Sequence, residues 1–119
     1  MEKVNLGEKL RLFSDHWSPR IVAQLNGQHV KVAKLKGEFV WHRHEREDEL
    51  FLVLEGRPTI RLRDRDVTLD PGELLVVEKG VEHQPVAEEE VHVLLFEPVG
   101  TLNTGNVENE RTVRTPQRV

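Results

Sequence analysis

Between Arg20 and Pro98 apolar and polar residues alternate in short runs, and most runs stop at a glycine, a proline or a charged turn. A period of two is the pattern of a strand with one buried face. "RIVAQL" and "HVKVAKLK" read as strands joined by a tight hairpin turn at Asn26-Gly27. In the second, Val30 and Val32 share one face, Lys31, Ala33 and Leu35 share the other, and Gly37 ends the run. "FVWH" reads as a third short strand. "ELFLVLE" is apolar at consecutive positions, so both of its faces are expected to be covered. "TIRLR" sends Ile60 and Leu62 inward and Thr59, Arg61 and Arg63 outward. "VTL", "ELLVVE", "HQPVA" and "VHVLLFE" complete a series of roughly nine or ten strands, with turns at the spacing of an all-β sandwich or barrel.

The two ends depart from this pattern. Near the start, Leu6, Leu10 and Phe13 recur at about one helical turn, and Asn5 stands three residues before Glu8 as in a capping box. A helix this short must dock on something to persist. "SDHWSP" breaks it, and Pro19 marks the exit. After Pro98 the sequence turns polar and loses periodicity, reading as a strap along the barrel or a flexible tail. The expected organisation is a helical lead-in over residues 1–18, a β-barrel over 19–98 and a strap or tail over 99–119.

Composition narrows the classes. A chain of 119 residues fits one domain. A net charge of −4 gives no footprint for nucleic acid. No apolar run approaches a membrane span and "MEKVNLGEKL" lacks an apolar signal core, so neither membrane nor export is expected. With no cysteine, disulfides, thiolate metal sites and cysteine nucleophiles are excluded, and a cytoplasmic setting is the expectation.

The candidate chemistry lies in "WHRHEREDELFLVLEG", Trp41 to Gly56. Residues two apart on an extended chain point to one face, so His42 and His44 project together and Trp41 projects away, under the helix or toward an interface. A turn through "EREDE" can set Glu49 beside them. Two imidazoles and a carboxylate make a metal-ligand set. The same residues also read as a charged turn ahead of a buried strand. A third histidine, His83, follows the turn at Lys79-Gly80, where the chain has crossed the domain and returned.

Gly37-x4-His42-x-His44-x4-Glu49-x6-Gly56 resembles the first signature of the cupin superfamily, and Gly72-x5-Glu78-x-Gly80-x2-His83 resembles the second. Three positions depart from the family pattern. Four residues rather than five precede His42, Glu78 stands where proline is usual, and Ala87 stands where asparagine is usual. The resemblance implies a double-stranded β-helix, or jelly-roll, barrel. It implies that His42, His44, Glu49 and His83 bind one divalent metal, and that the chain is a homodimer.

Three imidazoles and a carboxylate suit Fe, Mn, Ni, Zn, Co or Cu, and an octahedral ion so held keeps two open positions. Dioxygenase and isomerase chemistry on a small organic substrate both fit, as does non-catalytic binding, storage or sensing of a small ligand. Without tyrosine or cysteine, any general acid or base is His, Asp, Glu, Lys or water. His92 is the extra catalytic candidate if its face of "VHVLLFE" looks into the barrel. A buried structural histidine is the competing reading. His16 and His29 are expected at the surface, and Phe39 and Phe51 in the core.

Overall fold

A computed structural model describes all of residues 1–119. Seven strands follow one short helix: α1 (Leu6–Leu10), β1 (Arg20–Leu25), β2 (Gln28–Glu38), β3 (Glu49–Glu55), β4 (Thr59–Leu62), β5 (Asp66–Thr68), β6 (Leu74–Val77) and β7 (His83–Pro98). All pairing between strands is antiparallel, in the order β1-β2-β7-β3-β6, with β4 joined to the first half of β7 and β5 joined to β4. This is the jelly-roll barrel.

Strand count is lower than the alternation suggests, for two reasons. "HQPVA" and "VHVLLFE" are one strand of 16 residues, because the exposed Glu88–Glu90 run stays extended as a bulge between two stretches that both pair with β2. "FVWH" is not a strand. It leaves the end of β2 and makes only a single bridge, His42 to His83. Gly37 does not end β2 either. At φ +85° it sits in a bulge where the register with β7 shifts between Leu35 and Gly37, and β2 continues through that bend to Glu38.

The strand register sorts the side chains onto two faces. Inside the barrel, Ala33, Leu35, Phe51, Val53, Ile60, Val77, Val91, Val93 and Leu95 form one core with Trp17, Phe39, Leu69 and Ala87. Each such aliphatic or aromatic side chain contributes roughly 1.5–3 kcal/mol by leaving water. Outside, Leu10 and Phe13 pack on Val32, with Leu6, Val22 and Leu54 around them. Helix α1 is held by this contact and by its cap, where Asn5 Oδ1 accepts the Glu8 N–H at 3.0 Å.

Residues 99–119 run along the barrel. Arg118 bridges to Ile21, and Asn106 exchanges hydrogen bonds with the Arg43 backbone. Gly105 makes the crossing possible. A Cβ there would lie 2.3 Å from the Arg43 carbonyl oxygen, and its φ is +55°.

Candidate metal centre

His42 and His83 are placed by backbone hydrogen bonds. Each donates its N–H to the other's carbonyl, at 3.0 and 2.9 Å. The Gly80 N–H donates to the His44 carbonyl at 2.7 Å, and the Lys79 N–H donates to Asp48 Oδ1 at 2.8 Å. The two loops are thereby zipped together, and Asp48, one of the acids of the charged turn, is a structural part of the zip. Glu49 is fixed independently as the first residue of β3, opposite Val77 of β6.

These constraints bring His42, His44, Glu49 and His83 to one point inside the barrel. Their donor atoms lie within 4.8 Å of one another, and all four residues are buried. Ring centroids are 4.2 Å apart for His42 and His83, 5.0 Å for His42 and His44, and 5.6 Å for His44 and His83. Glu49 Oε1 stands 3.5 Å from His44 Nε2 and 3.7 Å from His83 Nε2.

The protonation pattern suits a cation. His42 Nδ1 lies 2.9 Å from the Val40 carbonyl, and His83 Nδ1 lies 3.0 Å from the Val81 carbonyl. A carbonyl only accepts, so both Nδ1 atoms carry the proton and the opposite Nε2 atoms present lone pairs. The Nε2 atoms of His44 and His83 are buried and have no hydrogen-bond partner. Orphaned buried acceptors are costly, and a cation among them would remove that cost.

Burial, and next the neighbouring His83, push the His42 imidazole down to about 4. Burial alone would raise the Glu49 carboxyl, but its contacts with His44, His83 and Glu97 outweigh burial and hold it well below the usual range. His42 and Glu49 are therefore deprotonated at neutral pH without a metal to enforce it. In metal-free protein, NMR titration of the His42 ring is expected to give a midpoint near pH 4 rather than 6.5. The sign follows. The unfolded chain takes up this proton near 6.5, so His42 leaves stability untouched above that value and opposes folding increasingly as pH falls toward 4.

Beside His42 and Glu49 lies a cavity of about 30 Å³, walled by Trp17, Leu35, Phe39, Phe51, Leu95 and Asn103. That is room for very few waters. On the His44 side an open cleft of about 200 Å³ reaches solvent past Glu45, Arg46 and Glu47. Phe39 and Phe51 thus belong to the core and also face the centre. Trp17 stacks on Phe39 at 4.6 Å, and Phe39 meets His42 edge-on at 5.5 Å. Trp17 has φ 60°, a left-handed conformation that is uncommon for a bulky residue. Its N–H groups bond the carbonyls of Lys34 and Lys36.

His92 is not brought to this centre. The inward positions of β7 are Val91, Val93, Leu95 and Glu97, so His92 falls on the outer face with Leu94 and Phe96. Its ring nitrogens lie there 2.9 Å from a Glu55 oxygen and 3.0 Å from a Glu90 oxygen. Trp41 does turn from the ligands, yet it packs under Arg63, 3.8 Å from the guanidinium carbon, and not under α1. His29, expected at the surface, is buried.

Two buried charges near the centre escape a motif search. Lys31 and Glu97 point inward and pair at 3.0 Å, with side chains 3% and 1% exposed. One further step in the β3–β7 register, beyond Leu50 opposite Phe96, places Glu97 beside Glu49. The signal was parity. Lys31 shares its face with Ala33 and Leu35, and Glu97 shares its face with Val91, Val93 and Leu95.

The Cupin domain family matches residues 28–97, more than half of the chain, and the chain belongs to that family. It is similar to a cupin-2 domain containing protein of Shewanella frigidimarina NCIMB 400, at 47% identity over 80% of this chain and 93% of that one, with a TM-score of 0.79. It is also similar to protein NMB1881 of Neisseria meningitidis, at 31% identity over 82% and 99% of the two chains, with a TM-score of 0.75. Among curated proteins, the uncharacterized protein YdbB of Bacillus subtilis is 36% identical over 64 residues. That match spans 53% of this chain and little more than half, 57%, of YdbB. No helix is long and apolar enough to cross a membrane.

Proposed function

We propose that this cupin holds one divalent transition metal on His42, His44, Glu49 and His83 and acts with it on a small organic substrate, in dioxygenase- or isomerase-type chemistry. The observation that carries the reading is the convergence of partnerless, buried Nε2 atoms from His44 and His83 on Glu49. Such an ion supplies Lewis acidity or, where redox-active, oxygen chemistry. The chain's own part is to fix the ligand atoms, to hold the Nδ1 protons on the Val40 and Val81 carbonyls, and to keep water out with Trp17, Phe39 and Phe51. The open cleft at His44 gives a substrate its approach.

One observation favours a second reading, binding or sensing without turnover. The cavity beside His42 and Glu49 offers no titratable group besides those two ligands. The experiment begins with elemental analysis of untagged protein, expected to find one ion per chain. In the cobalt(II)-loaded protein, a bidentate oxygen ligand such as acetohydroxamate should then perturb the visible spectrum. An unperturbed spectrum means that the metal has no open positions, and the enzyme reading fails. A perturbed spectrum with no product from any small organic substrate supports the binding reading.

A homodimer is part of the same proposal. Beside Val32, which Leu10 and Phe13 already cover, the register lays two apolar rows across the outer face: Val30, Phe96, Leu50, Val76, and Leu94, Leu52, Leu74. Leu74 and Val76, on the edge strand β6, are 54% and 46% exposed. An apolar face of this kind marks an interaction surface. Leu74→Lys with Val76→Lys is expected to turn a dimer into a monomer by light scattering. A monomeric parent protein would exclude the dimer.

A further inference from the structure

A second pocket, of about 300 Å³, lies where the C-terminal strap crosses β1 and β2, and it shares no lining residue with the cavity beside His42 and Glu49. Its polar lining is His29 and Lys31 from β2, and Thr101, Arg114, Thr115 and Arg118 from the strap, with no acidic side chain. We infer that this pocket binds a compact oxyanion of the phosphate class, free or as the terminal group of a small phosphorylated molecule.

His29 is the leading observation. It is 7% exposed, and both ring nitrogens are buried without a hydrogen-bond partner. A neutral imidazole so placed has one N–H donor and one acceptor unused, on a residue that lines the pocket. Lys31 is 2% exposed. Its ammonium group meets Glu97 Oε1 at 3.0 Å and the Thr101 carbonyl at 3.5 Å, which leaves a third donor. Arg118 is held in place by its bridge to Ile21 and by Gln24 Oε1 at 2.8 Å, a neutral partner that leaves its charge uncompensated. Arg114 is paired with Glu108 at the exposed rim.

The charge balance stays positive. Three permanent cations line the pocket, and only Glu97, behind Lys31, and Glu108, outside the rim, oppose them. The donors come from β2 on one side and from the strap on the other. A tetrahedral oxyanion accepts from several directions at once, whereas a planar carboxylate uses one plane.

The test is calorimetry of the full chain with inorganic phosphate at constant ionic strength set by sodium chloride, together with NMR of the His29 ring nitrogens. Saturable binding with a shift of the His29 signals is expected. Arg114 and Arg118 are exposed, so R114Q/R118Q should fold normally, and it should weaken binding by about a hundredfold, roughly tenfold for each lost charge-assisted contact. Acetate should bind more than about tenfold more weakly than phosphate. Tighter binding of glycerol 3-phosphate than of phosphate identifies a phosphorylated molecule as the ligand, and weaker binding identifies the free ion. Absence of saturable binding overturns the inference. So does binding that survives R114Q/R118Q, which would place the anion elsewhere, the metal centre included. Equal affinity for acetate overturns the assignment to the phosphate class.

Discussion

His44→Ala is expected to lower metal affinity by more than about a hundredfold and to leave the purified protein with far less than one ion per chain. Changing a residue that merely supports a metal ligand typically costs 10–100-fold in affinity, so removing a ligand should cost more. His44 is a stringent choice because its Nε2 is buried, has no protein partner and stands 3.5 Å from Glu49. Loss of fold is separable from loss of metal. The metal-free forms of H44A and the parent should melt within a few degrees of each other, while only the parent should gain from added metal. That gain is about 4 kcal/mol at a thousandfold excess over the dissociation constant. Glu45→Ala is the control. Glu45 is exposed, pairs with Arg43 at 2.6 Å, and should leave the metal in place. Full metal content in H44A would refute the ligand set.

The way these four residues meet explains what could be read in the sequence. Same-side projection of His42 and His44 follows from spacing alone, and it holds even though the segment is a loop rather than a strand, because the bridge to His83 keeps it extended. Glu49 was legible as the first residue of an apolar strand, where the ladder fixes its direction. His83, just after the turn at Lys79-Gly80, was legible only together with the distant His42 and His44. The misread features share one physical cause, which is that they depend on neighbours remote in sequence. His92 was assigned by its own strand, but which face of that strand is inside depends on β2 and β3 on either side. Trp17 and Asn103 wall the cavity, yet their segments carry no periodicity. Asn103 reaches its place because its side chain bonds the carbonyls of Trp17 and Arg111, 86 and 8 residues away.

Lys31→Met is expected to destabilise the fold by about 3 kcal/mol at neutral pH, and the loss should shrink as the pH is lowered. Burial, and next the charge of Glu49, push the Glu97 carboxyl well above its ordinary 4.5, while Lys31 works the other way. With Lys31 gone, nothing compensates a buried carboxylate beside Glu49, so Glu97 takes up a proton in the folded state. Breaking a buried pair by removing one partner typically costs about 3–5 kcal/mol, and the lower end applies because Glu97 can take up a proton instead of staying charged and unpaired. For a domain of this size the melting temperature should fall by roughly 10–15 °C. The sign of the pH dependence follows from the unfolded chain. As pH falls toward 4.5 the unfolded Glu97 also takes up its proton, the two states bind equally, and the penalty disappears. Methionine keeps the length of the lysine stem, so little of the loss comes from packing. Lys31→Met with Glu97→Met should then recover to within about 1 kcal/mol of the parent, because an apolar pair has no charge to desolvate. Destabilisation by K31M that is independent of pH, or that E97M does not relieve, would mean that Lys31 matters for its packing and not for its charge on Glu97.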